Sequence, residues 1–118
     1  MNYLTAIEEL SLIVPNICTE IYNEKNVRSY SVISIFTSKI KEQIILGNTP
    51  LFIKYIQKMN EIYAKGDLIL KYALENVFVY SLDQNMMHCG LTQRQVVIET
   101  LSDGLKNAYS RQIYNHQI

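Results

Sequence analysis

The chain has 118 residues, enough for one domain that buries an apolar core without disulfides or metal. Apolar residues make up 48% and charged residues 19%, which excludes a disordered chain and points to an ordinary globular one. Eleven basic residues balance eleven acidic ones, which argues against a dedicated nucleic-acid binder, whose affinity rests on excess Lys and Arg facing phosphates.

Two cysteines, Cys18 and Cys89, have no CxxC or other ligand spacing, so a disulfide-rich secreted scaffold is not expected and a reducing cytoplasm is. Glu8 and Glu9 fall where a secretory signal needs apolar residues, and no apolar run approaches the roughly 20 residues of a membrane span. The expectation is therefore a single cytoplasmic domain over 1–118, with 115–118 as a frayed tail and no membrane partner. Nine tyrosines and no tryptophan are the one oddity. Tyr buries a ring while its hydroxyl reaches water or a carbonyl, which suits the border between core and surface.

In chain order, Asn2 to Val14 has Leu4, Ile7, Leu10 or Ser11, and Val14 at helical spacing, and Pro15 stops it, though Pro15-Asn16 equally suits the opening of the next helix. A short helical piece follows, Asn16 to Asn23, with Ile17, Cys18 and Ile21 on one side, then a polar loop to Ser29. From Ser29 to Leu46 a long helix carries Val32, Ile33, Phe36, Ile40 and Ile44 inward. Its β-branched content also permits a strand over Val32 to Phe36, but the helical period holds for four turns.

Gly47 ends that helix, Thr49 is the expected cap of the next, and Pro50 its first residue. The Pro50 to Lys65 helix should bury Phe52, Tyr55, Ile56, Met59, Ile62 and Tyr63. Gly66 ends it, and Asp67 caps the stretch DLILKYALENVFVYSLDQ, which is apolar on more than one side. Leu70, Ala73, Leu74, Val77, Phe78 and Leu82 form its core stripe, while Leu68, Ile69, Tyr72, Val79 and Tyr80 widen it. Such a helix, Leu68 to Gln84, belongs at the centre of a bundle covered from several sides. The breaks at Gly47 and Gly66 lie 19 residues apart and hint at a repeated helical unit.

Asn85 to Gly90 reads as a connector. Thr92 with Gln95 matches a capping box and Leu91 with Val96 a hydrophobic staple, so the last helix should start at about Gln93. It carries Val97, Ile98, Leu101, Leu105, Ala108 and Tyr109 inward, with a break or bend at Asp103-Gly104. The fold class is all-α, a compact bundle of five to six helices with antiparallel, repeat-like neighbours.

Chemistry is thin. Met87-His88-Cys89 is the nearest thing to a ligand or nucleophile cluster, yet adjacent His and Cys cannot alone supply a zinc site. Glu8 and Glu9 point to different sides of a helix, Glu20/Glu24 read as a solvated face, and Lys54, Lys58 and Lys65 as a solvated stripe with Glu61 among them. No phosphate-binding or nucleophile-elbow motif occurs, and four glycines leave little room for one. No catalytic, cofactor-binding or metal-ligating residue is assigned, no cofactor is expected, and no enzyme activity is inferred. Asn76, beside Val77 and Phe78, is expected to satisfy a neighbouring helix's backbone.

The segment IQKMNEIYAKGDLILKYALENVFVYSLDQ, Ile56 to Gln84, resembles a family of small all-helical bacterial domains of uncharacterised function. The resemblance rests on Lys65-Gly66-Asp67 and on Ala73, Asn76, Val77, Phe78 and Leu82. It implies a protein-binding role, with immunity proteins that neutralise a partner toxin as one form, and it brings no functional residue. The first expectation is thus a non-enzymatic interaction domain whose partner is another protein. Apolar surface left on Ile69, Tyr72 and Tyr80 is available to a homodimer. The rival is a helix-turn-helix regulator over residues 91–111, offering Asn107 and Arg111 to base edges.

Overall fold

The structure, a computed structural model, describes residues 1–87 and 89–116, without the side chains of residue 85 and residues 114–116. Among them are seven helices and no strand. They are α1 (Tyr3–Ser11), α2 (Ile17–Tyr22), α3 (Ser29–Leu46), α4 (Thr49–Lys65), α5 (68–86), α6 (Leu91–Thr100) and α7 (Asp103–His116). The count exceeds the expected five to six because the C-terminal segment is two helices.

The helix boundaries follow from local chemistry. Asn2 caps α1 by accepting from the Thr5 amide at 3.0 Å, and the helix stops at Ser11, a turn short of Val14. Val14 still reaches the core through a bonded turn to the Leu10 carbonyl. Asn16 takes a left-handed φ of 64°, which Asn tolerates better than other non-glycine residues, and redirects the chain into α2. Gly47 closes α3 at φ 71°, the conformation in which glycine has no steric penalty. Asn48, not Thr49, occupies the cap position of α4, with Thr49 and Pro50 already in its first turn.

Gly66 does something different. Its φ is −69°, and a Cβ there would come within 2.6 Å of the Ile62 carbonyl oxygen, so close backbone approach demands glycine. The two glycine breaks are therefore unlike turns, not copies of one repeat. Asp67 caps α5 as expected, its Oδ1 accepting from the Leu70 amide at 2.9 Å. The first residue is tied to the same junction. Its amino group donates to the Lys65 carbonyl at 2.9 Å, and its carbonyl accepts from the Asp67 amide at 2.7 Å.

Helix α5 is one rod in three parts: Leu68–Ala73 is α-helical, Leu74–Val79 is π-helical, and Tyr80–Met86 is α-helical again. It packs on α3 most extensively, and also on α4 and α7. Leu70, Leu74, Phe78 and Leu82 are buried among Phe36, Ile40, Phe52, Ile56 and Ile62 in one core cluster. The Phe36 and Tyr55 rings meet at 5.8 Å between centroids, tilted by 57°. Every residue expected inward on α3, from Val32 to Ile44, is buried.

The C-terminal pair departs most from expectation. Helix α6 starts at Leu91 behind Gly90, and Thr92 forms no capping bond. Gln95 bonds Glu99 one turn later instead of reaching back to Thr92. The interruption falls at Leu101, which is extended at ψ 139°, and Gly104 lies inside α7. Asn60 of α4 clamps this break: its Nδ2 donates to the Thr100 carbonyl at 2.8 Å and its Oδ1 accepts from the Ser102 amide at 3.0 Å. One side chain thus satisfies a donor and an acceptor that the interrupted helix leaves open. Helix α7 runs to His116, and residues 117 and 118, the end of the expected tail, lie outside the described residues.

Candidate interaction surfaces

The π-helical segment sets the geometry of the outward side of α5. In an α-helix, residues four apart drift by about 40° around the axis, because a turn holds 3.6 residues. A π turn holds more than four, so the same spacing falls back towards one line. Tyr72, Asn76 and Tyr80 are all exposed, whereas Ala73, Leu74, Phe78 and Val79 between them are buried. Leu68 and Ile69 extend the exposed face toward the N-terminus, each with 68% of its surface accessible, against 59% for Tyr72 and 57% for Tyr80. The expectation that α5 is covered on several sides fails here. Of the widening set only Val79 is buried. Asn76, expected to serve a neighbouring helix, points to solvent.

The flanks of α5 are polar and committed. Glu75 Oε1 accepts from the Tyr63 hydroxyl at 2.8 Å and from Arg111 at 3.2 Å, and its backbone carbonyl accepts from Gln112 at 2.7 Å. Asp83 accepts from the Tyr109 hydroxyl. Burial, reinforced by the neighbouring carboxylate, pushes both phenols above their ordinary range, so they remain donors at any physiological pH. These contacts hold α7 and α4 against the helix while leaving its outward row exposed. Nothing in the spacing of Glu75 or Asn60 marks them as tertiary clamps, since each partner lies more than ten residues away.

Several hollows open on the surface among the described residues, and two of them bear on function. One, of about 500 Å³, is lined by Met86, Leu91, Arg94, Gln95, Ile98, Glu99 and Tyr109. Another, of about 340 Å³, lies between α2 and α3, where Lys39 pairs with Glu20 and Glu42 and Glu24 lines the same wall. Lys39 is held above its ordinary pKa chiefly by its hydrogen bond to Glu20, at 2.9 Å, so the cluster is an internal ion network. Of the lysine stripe, Lys58 bonds Glu9 at 2.8 Å and Glu61 at 2.9 Å. Burial works against its charge, and these two carboxylates outweigh it and hold it protonated. Lys65 pairs with Glu61 as the four-residue spacing predicts, and Lys54 stays exposed.

The remaining sequence candidates are dispersed. His88 lies outside the described residues, and Cys89 donates to the Met86 carbonyl at 3.2 Å with its thiol pushed up by burial, the opposite of an activated nucleophile. Among the described residues no group of three or more His, Cys, Asp or Glu gathers as a metal site requires, and no helix is long and apolar enough to cross a membrane. Asn107 is exposed on α7, while Arg111 is engaged with Glu75.

A family model described as a domain of unknown function, DUF7674, matches residues 7–115. The chain belongs to that family. The match runs from within α1 to near the end of α7, so the family pattern takes in the α5 face and both clamps. No curated protein and no solved structure matches the chain.

Proposed function

We propose that the chain is a non-enzymatic protein-interaction domain that binds its partner through the outward face of α5. One observation carries the reading: Leu68, Ile69, Tyr72 and Tyr80 all remain exposed on a single side of the helix at the centre of the bundle. Monomeric folds rarely leave large contiguous apolar surface uncovered, and such surface marks contact sites. Tyr is also the side chain best suited to a protein interface, offering a rigid ring and a polar tip. An immunity-type inhibitor that occludes a partner protein is one form of this function, and the family resemblance of Ile56 to Gln84 supports it.

A photo-crosslinking residue placed at position 72 in cells is expected to trap a specific protein, with the same residue at Ser38 on α3 as control. The purified partner should then bind the wild-type chain and lose at least tenfold in affinity against Tyr72→Glu. Equal trapping at both positions, or equal affinity for both chains, would overturn the reading.

The second reading is a helix-turn-helix DNA-binding regulator over residues 91–111, favoured by the break at Leu101 between α6 and α7. It requires Arg111 to leave Glu75 for a base edge. Salt-sensitive duplex binding at about 50 mM salt is its signature, and a chain that fails to bind there removes it.

A further inference from the structure

We infer that the hollow between the end of α5, α6 and α7 binds a small amphipathic carboxylate, a compact apolar body carrying one carboxylate group. The site is separate from the outward face of α5, so the inference goes beyond the interaction reading and does not depend on it. Its volume of about 500 Å³ lies within the range of roughly 300–1,000 Å³ typical of small-molecule sites.

Three helices supply the walls. Met86 closes α5 and is buried, and Tyr109 of α7 is half-buried beside it. On α6, Leu91, Arg94, Gln95 and Ile98 recur at spacings of three and four, so they share the face that borders the hollow. Helix α6 packs on α4, and Asn60 of α4 clamps the break between α6 and α7. Asp83 accepts from the Tyr109 hydroxyl. Both flanks are therefore fixed, and the hollow is preformed.

The polar groups around it are not equally open. Glu99 accepts from Gln95 at 3.0 Å, and the Tyr109 hydroxyl is committed to Asp83. The Arg94 guanidinium has neither a hydrogen bond nor an ion pair among the described residues. Its charge lies near enough to Tyr109 to oppose the burial-driven rise in that phenol's pKa, which places it at the hollow instead of far out in solvent. A guanidinium presents paired N–H donors in the geometry that a carboxylate accepts. The charge complement of this rim is thus an anion, and Met86, Ile98 and Leu91 give its apolar part a surface to cover. Leu91, 82% exposed, gains most from that cover. A second anionic group on the ligand would meet Glu99, which stands five residues and about 7.5 Å further along the helix axis. One carboxylate fits, and two do not.

The test uses the purified whole chain and three probes. They are 4-phenylbutyrate, its neutral counterpart 4-phenylbutanamide, and acetate as a carboxylate without the apolar body. NMR titration to about 10 mM should give saturable shifts at Met86, Ile98 and Tyr109 with 4-phenylbutyrate, at a dissociation constant of about 1 mM or tighter. The amide should bind at least about fivefold more weakly, and acetate should not saturate. Arg94→Gln should weaken 4-phenylbutyrate at least about fivefold and leave the amide unchanged. Helix content should be unaltered, because Arg94 is exposed. Absence of saturable binding overturns the inference, as do saturable shifts centred away from the hollow. Equal affinity for acid and amide, acetate saturating like 4-phenylbutyrate, or Arg94→Gln binding the acid as tightly as wild type each overturns it too. The crosslink at position 72 tests the α5 face separately, so the two readings fail independently.

Discussion

Phe78 and Tyr80 lie two residues apart on α5, yet Phe78 is fully buried and Tyr80 is 57% exposed. The inner side of the helix, with Leu70, Leu74, Phe78 and Leu82, is pressed into the shared core of α3 and α4. The outer side, with Leu68, Ile69 and Tyr72, is hardly less apolar in composition and meets no neighbour that buries it. Residue type therefore distinguishes the two sides poorly, and what separates them is where the other helices come to rest. A helix apolar on two sides states only that both sides favour cover. One is covered by the chain itself, and the other stays exposed.

The sharpest way to break this comparison is to shorten one side chain on each face. Phe78→Ala is expected to cost about 3–5 kcal/mol, the loss for truncating a buried aromatic, read from denaturant unfolding of the monomer. A cost under about 1 kcal/mol would mean the inner face is not core. Tyr72→Ala, on the outer face, should change monomer stability by no more than about 0.5 kcal/mol, as surface substitutions do. A loss comparable to that of Phe78→Ala would show that Tyr72 is structural and remove it from the contact surface.

Two helix starts pose a smaller version of the same contrast. Asp67→Ala removes a formed cap and should cost about 1 kcal/mol, whereas Thr92→Ala removes none and should cost a few tenths at most. Equal losses would mean that the Thr92 capping box forms in solution after all. The two stretches look alike as caps, but their settings differ. Asp67 follows Gly66 in a junction pinned by the first residue, which leaves its carboxylate one place to go. Helix α6 begins one residue before Thr92, so Thr92 is already inside its first turn.

Much of the fold is legible in the residues themselves. The span Ser29 to Leu46, the glycine ends at 47 and 66, the Asp67 cap and the buried stripe of α5 are local features. Each depends on residues within one or two turns of one another, where spacing and stereochemistry decide the outcome. The break at Leu101 is legible only as an interruption somewhere near Asp103-Gly104, because what holds it open is Asn60, about 40 residues away in sequence. The candidate surface is partly legible. Ile69, Tyr72 and Tyr80 stand out as surplus apolar residues, whereas nothing near Asn76 in the chain distinguishes a polar group facing another helix from one facing water.

What the sequence alone determined, then, is the helical class and most helix ends, since backbone hydrogen bonding within a helix is satisfied by neighbours in the chain. Tertiary structure alone decided which apolar side of α5 became core, where the last two helices separate, and that Tyr72, Asn76 and Tyr80 line up in the open. Burial is a property of what arrives from elsewhere in the chain, and no local pattern on α5 records which of its sides α3, α4 and α7 will reach.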